Sequence, residues 1–146
     1  MTAMKNYSIK HQIKNNLIAI ISIFIAVISL SYNTWRNEQT EFNRNVRTAS
    51  FEVLMSLAEL QQVVDNSYYG DSAEKGDPIK GWSYVIYIQD LSVSVSPNAQ
   101  SNAKHLHSTW QDNWHLMKSD EQAVDNITSA IKNQRQIVLK ALQNLN

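Results

Sequence analysis

The 146-residue chain contains no cysteine. That excludes disulfides, thiolate metal centres and cysteine nucleophiles, and it leaves the redox compartment open. Glycine and proline are nearly as scarce, at three and two, so a turn-rich β architecture lacks its punctuation and helices are favoured. An excess of positive charge is missing as well: thirteen Lys plus Arg balance thirteen Asp plus Glu. The balance is uneven along the chain. Lys5, Lys10 and Lys14 stand at the start without an acid, and from Arg36 onward ten basic residues face thirteen acidic ones. A body with that acidic balance offers no attraction to a phosphate backbone, so no nucleic-acid partner is expected. A Gly-rich phosphate loop, an HExxH pair and a readable Ser–His–Asp spacing are all lacking, which argues against an enzyme.

What the chain does have is "LIAIISIFIAVISL", residues 17–30, with Ser22 and Ser29 as the only polar side chains. Fourteen residues reach roughly 21 Å as a helix, short of a ~30 Å hydrocarbon core. Residues 16–35 carry no ionisable group except the Tyr32 phenol, and twenty residues do reach across. Tyr32 and Trp35 fall where interfacial aromatics belong, and Arg36 follows as a headgroup contact. Backbone amides in lipid must pair within their own segment, so the run is predicted to be helical, with the serine hydroxyls bonded back to the preceding turn. The alternative is a signal peptide cleaved near Ser29-Leu30-Ser31. Its length and the helical pattern that continues past it favour a retained anchor. Lys5, Lys10 and Lys14 tie with Arg36, Arg44 and Arg47 in the positive-inside comparison. A short basic tail stays inside more readily than a long folding unit, so 1–15 is expected to be cytoplasmic, 16–35 transmembrane and 36–146 extracytoplasmic. The Asn126-Ile127-Thr128 sequon is too short a match to carry an argument.

Beyond the apolar run the pattern stays helical. Phe42, Val46, Ala49, Val53, Leu57, Leu60 and Val64 recur at spacings of three and four, and Phe51, Leu54 and Ala58 are expected to widen that buried face. No Gly or Pro interrupts the chain before Gly70, so the membrane helix is expected to run on into this one. "SYYGDSAEKGDPIKG" reads as a loop. Its Asp71, Glu74 and Asp77 lack the EF-hand spacing, so calcium is not expected there. "WSYVIYIQDLSVSVS" mixes strand-forming residues with helical spacing through Tyr84, Ile88, Leu91 and Val95. A lone strand would leave its amides unpaired, so a helix is predicted.

Ser96-Pro97 is a helix start, with a cap residue and then Pro at the first helical position. Ala99, Ala103, Leu106, Trp110 and Met117 follow on one face. Ser119-Asp120-Glu121-Gln122 reads as a capping box. The last segment carries a heptad seam of Val124, Ile127, Ile131, Val138, Ala141 and Leu145, with Gln134 as its polar member. The predicted fold is therefore all-α: one N-terminal transmembrane helix continuing into an antiparallel four-helix bundle.

Few residues invite chemistry. His105 and His107 point about 200° apart on a helix and cannot grip one metal. His115 lies three residues after Asp112, close enough for an ion pair that would raise its pKa. No metal site and no cofactor are expected. Trp110 and Trp114 at i and i+4, with His107 continuing the stripe and Trp82 on the preceding segment, are either core packing or an aromatic surface for a ligand or partner. Asn113 and Gln134 at seam positions either fix helix register or line a small polar site. Arg44, Arg47 and Glu41 read as a solvated face near the membrane.

The run "SLSYNTWRNEQTEFNRNVRTASFEVLMSLAELQQVVD", with "GWSYVIYIQDLSVSVSP", resembles small single-pass inner-membrane proteins of proteobacteria. The resemblance covers residues 29–97. It implies a bacterial inner-membrane setting and carries over no functional residue. The architecture is also similar to the helical input regions of bacterial sensor proteins, from which this chain departs in having no output domain after its short tail. The expected partners are the lipid bilayer and either a protein partner or a second copy. The expected role is that of a non-enzymatic accessory or assembly subunit. The alternatives are a ligand-sensing module and a cleaved, secreted helical protein.

Overall fold

The computed structural model describes Lys14, residues 16–70 and residues 74–145. The expected tail 1–15 lies outside these apart from Lys14, as does Asp71 of the acidic loop. Among the described residues every regular element is helical: α1 (Leu17–Tyr69), α2 (Pro78–Ser92), α3 (Pro97–Asn113), a 3-10 turn (Trp114–Leu116) and α4 (Glu121–Gln143). The ambiguous segment at 82–96 is helix and turn. With no partner strand, the only way to satisfy its amides is within the segment.

The boundaries follow local chemistry. α1 runs for 53 residues and stops where Gly70 follows Tyr69. α2 starts at Pro78, with the Asp77 carboxylate accepting from the Ile79 N–H at 2.9 Å. α3 starts at Pro97, with the Ser96 hydroxyl accepting from the Ala99 N–H at 3.1 Å, as the sequence predicts. α4 departs from expectation. Its cap is Asp120, in extended backbone and accepting from the Gln122 N–H at 2.9 Å, and no Ser119 capping box forms. A carboxylate at the positive end of a helix is the stronger cap. Gln122 instead donates its side-chain amide to Asn126 Oδ1 at 3.1 Å.

The chain divides into two compact units, one ending at Glu41 and the other starting at Phe42. In the first, ten large apolar side chains between Leu17 and Leu30 are exposed, by 46% at the least. This part of α1 has a mean hydropathy of 2.1 over its most apolar window and is long and apolar enough to cross a membrane. The Ser22 hydroxyl donates to the Ile18 carbonyl at 2.8 Å, as expected of a serine in an apolar helix.

In the second unit one core draws on all four helices. Val53, Leu57, Leu60 and Val64 of α1 meet Val85 and Ile88 of α2, Ala99, Ala103, Leu106 and Trp110 of α3, and Val124, Ile127, Ile131 and Val138 of α4. The periodicity marks these except Val85, in whose place it marks the half-buried Tyr84, and three of the members it gives α1 are wrong. Phe42 and Phe51 are exposed, and Ala58 is too. The buried face of α1 widens mainly in the other direction, through Ser56 and Val63, with Ser50 buried at its near edge. Leu54 is only half-buried.

Gln134 is fully buried, and its amide is fully used. Nε2 donates to Ser92 Oγ at 2.9 Å and to the Ala99 carbonyl at 3.1 Å, while Oε1 accepts from Asn102 Nδ2 at 2.9 Å. The Ser92 hydroxyl in turn donates to the Ile88 carbonyl at 2.6 Å. One amide thus ties α4 to α2 and α3 at a single register. A buried amide with every group satisfied costs little to keep, whereas a wrong register would leave it unpaired at about 1–3 kcal/mol per group. On α1, Gln61 Nε2 reaches Thr128 Oγ1 of α4 at 3.2 Å. Gln134→Ala should lower unfolding free energy by about 2–4 kcal/mol, since it opens a cavity and strips the Ser92 and Asn102 partners. Gln134→Leu keeps the volume and should cost less than half as much. Urea unfolding followed by far-UV circular dichroism measures both.

Candidate functional site

The sequence nominates Trp82, His107, Trp110 and Trp114 as one aromatic surface. Trp82 lies in the second turn of α2, and His107 and Trp110 lie one turn apart on α3. The Trp82 ring stands edge-on to both, with centroids 5.4 Å from His107 and 6.4 Å from Trp110. Edge-to-face pairs of this kind contribute about 0.5–1.5 kcal/mol each beyond the area they bury. Trp110 is fully buried, while Trp82 and His107 are half-buried at its margin.

Trp114 does not join them. α3 ends at Asn113 and the chain tightens into the 3-10 turn; the Trp114 N–H still bonds the Trp110 carbonyl, but no ring contact joins the two among the described residues. Trp114 sits at the surface with its ring against His115, 5.9 Å between centroids. Among the described residues no ion pair joins His115 to Asp112, and both lie on an exposed polar face.

Gly81 was not singled out from the sequence, yet it decides the shape of this cluster. A Cβ at Gly81 would lie within 2.2 Å of two atoms of the Trp110 six-membered ring. The missing side chain is the slot that admits the indole and lets α2 and α3 approach. A glycine directly before a tryptophan inside an apolar helical pattern is the signal that points to it. The indole Nε1 is buried and has no hydrogen-bond acceptor. An unpaired N–H of this kind costs about 1–3 kcal/mol, which the area buried by the ring offsets.

Open grooves lie elsewhere. One of about 470 Å³ runs between α3 and α4, lined by Asn98, Asn102, His105, Ile137 and Lys140 among others. Another, of about 570 Å³, lies between α1 and α2, past Arg44, Glu52, Tyr87 and Leu91. Asn113, the other seam amide, donates to the Thr109 carbonyl at 2.7 Å and accepts from Asn126 at 3.2 Å. It therefore joins α3 to the start of α4. The sequon asparagine is thereby engaged within a helix. Tyr68 is held above its ordinary phenol pKa of 10.0, first by burial and then by the charges of Glu121, Tyr69, Asp120 and Asp125, so it stays neutral at physiological pH. Among the described residues no three His, Asp or Glu side chains converge to hold a metal ion.

The membrane-interface residues named from the sequence stand on the first unit. Tyr32 and Trp35 are 60% and 57% exposed. Their rings lie one turn apart, tilted by 43° with centroids 6.1 Å apart, and Arg36 is exposed beside them.

Comparison with known proteins adds nothing to these observations: no family model, curated protein or solved structure matches the chain.

Gly81→Ala should destabilise the protein by about 1–3 kcal/mol through overpacking, against the ~1 kcal/mol that alanine alone adds to a helix interior. In the background of Trp110→Leu the same substitution should be neutral or stabilising. That sign change, read in a double-mutant cycle by thermal unfolding, is the signature of direct contact. A Gly81→Ala penalty unchanged by Trp110→Leu would place the strain elsewhere.

Proposed function

We propose that the chain is a single-pass membrane protein of a bacterial inner membrane. In this reading residues 16–35 cross the bilayer with Tyr32, Trp35 and Arg36 at its surface. Residues 1–15 stay in the cytoplasm, and residues 36–146 form an antiparallel four-helix bundle in the periplasm. The bundle acts by binding protein, as an accessory or assembly subunit, without chemistry of its own.

The observation that carries this reading is that one unbroken helix does two jobs. Its N-terminal part exposes ten large apolar side chains, and its C-terminal part supplies Val53, Leu57, Leu60 and Val64 to a packed core. Burying one such side chain stabilises by about 1.5–3 kcal/mol. Keeping ten of them about half or more in water therefore forgoes on the order of 10 kcal/mol of burial, comparable with the whole stability of a small domain. Lipid removes that cost. A helix that continues past Arg36 into a folded core also gives little reason for the anchor to be cut away. Protein binding is supported by apolar side chains that the core does not use, including Phe51 and Met55 of α1 and Ile86 of α2.

A second reading is a small-ligand sensing module at Trp82, His107 and Trp110. The unpaired Trp110 Nε1 favours it, and the filled slot at Gly81 weighs against it.

The test is the fate of the full-length chain expressed in bacteria. An intact 16.7 kDa species that stays with membranes through alkaline carbonate washing, with a reporter on Asn146 active only in the periplasm, supports the anchored reading. A mature species beginning near Tyr32 and recovered with soluble protein overturns it in favour of a secreted protein. A reporter active only in the cytoplasm reverses the topology.

A further inference from the structure

The groove of about 470 Å³ between α3 and α4 differs in charge from the rest of the bundle surface. From Arg36 onward thirteen acidic residues face ten basic ones, and three other grooves each carry a carboxylate. Asp112 lines one, Glu59 and Asp65 another, and Glu52 a third. Among the described residues the α3–α4 groove has none. Lys140 gives it an ammonium, His105 an imidazole, Ser101 a hydroxyl, and Asn98, Asn102 and Asn144 give it amides. Its floor is fixed from the core. Asn102 is half-buried and donates one amide proton to Oε1 of the fully buried Gln134 at 2.9 Å. The rim is uncommitted: among the described residues the side chains of Asn98, Ser101, His105, Lys140 and Asn144 make no hydrogen bond or ion pair. Ile137 and Ala141, both half-buried, add a short apolar wall.

We propose that this groove binds a small organic acid, one carboxylate on a short hydrocarbon chain. The carboxylate pairs with the Lys140 ammonium and accepts from the surrounding amides and hydroxyl, and the chain lies on Ile137 and Ala141. An ionised carboxylate only accepts hydrogen bonds, so a lining of N–H and O–H donors with no rival carboxylate suits it, and hydrogen bonds to a charged group are the stronger kind. The fixed cation sets the charge at one. A phosphate monoester carries about −1.5 to −2 at pH 7 and would be left partly unbalanced. Because the groove is open, water screens the ion pair, and the expected affinity is weak, with Kd on the order of 1 mM. The inference goes beyond the anchored reading, which gives the bundle no small ligand, and it holds whether or not the chain stays in the membrane. It also places the ligand between α3 and α4 and away from the slot filled by Trp110.

The test titrates the full-length chain in lipid nanodiscs with butyrate, read by saturation-transfer difference NMR against empty nanodiscs. Butyrate should saturate at about the millimolar level. Its neutral isostere butanamide and the matched propyl phosphate should each bind at least five-fold more weakly. Lys140→Gln should weaken butyrate at least five-fold, and so should Asn98→Asp, which sets a like charge in the groove. Lys132→Gln, on α4 but outside the groove, should leave it unchanged. All three positions are exposed, so helicity by circular dichroism should stay the same in each variant. Absence of saturable butyrate binding overturns the inference. So does an equal loss for Lys140→Gln and Lys132→Gln, which would mark a diffuse charge effect, or retention of full affinity in Lys140→Gln. Propyl phosphate or butanamide binding as tightly as butyrate overturns the assignment to a carboxylate.

Discussion

The structure depends on one constraint: ten large apolar side chains near the N-terminus are left exposed by the described residues. Leaving that much oil in water forgoes on the order of 10 kcal/mol of burial, as large as the whole net stability of a soluble domain of about a hundred residues. Everything downstream is consistent with a solvent other than water for that part of α1. Tyr32 and Trp35 end the apolar stretch with rings that tolerate both phases. The Ser22 hydroxyl is turned onto its own backbone and presents no free donor to the surroundings.

The second unit solves a different problem, that of making a core from helices of uneven amphipathicity, strong in α4 and weak in α2. Its helices are dense in Asn and Gln, which give little burial. Specificity comes instead from two local fits. The Gln134 amide is satisfied by groups on α2 and α3 together, and the Trp110 indole enters a slot that exists because residue 81 has no side chain. The first fixes register through the cost of an unpaired amide, and the second fixes helix separation through steric volume. Both hold the helices in place from inside the core.

Much of this is legible in the chain. The spacing of Val53, Leu57, Leu60 and Val64, the Ser96-Pro97 start and the polar seam member Gln134 are all readable, because each depends on local periodicity or capping. The errors have a common physical origin. Periodicity gives the spacing of a face without saying on which side it is covered, so Phe42, Phe51 and Ala58 read as buried although they are exposed. The end of α3 carries no glycine or proline, so nothing in Asn113-Trp114-His115 marks the 3-10 turn, or shows that Trp114 stays at the surface while Trp110 is buried. Asp120 and Ser119 are adjacent cap residues, and choosing between them needs the backbone angles. The role of Gly81 depends on a residue 29 positions away, and Asn102 earns its place only through Gln134. Contacts of that kind are tertiary and leave no local trace.

The central claim, that lipid rather than water or protein surrounds the apolar part of α1, is tested most directly by a spin label on Ile23→Cys in the full-length chain reconstituted into bilayers. Ile23 is 66% exposed and lies in the middle of the apolar run. The expected result is frequent collision with oxygen, which concentrates in hydrocarbon, and little with a water-soluble nickel chelate. Dominant collision with the chelate would put residue 23 in water and contradict the account.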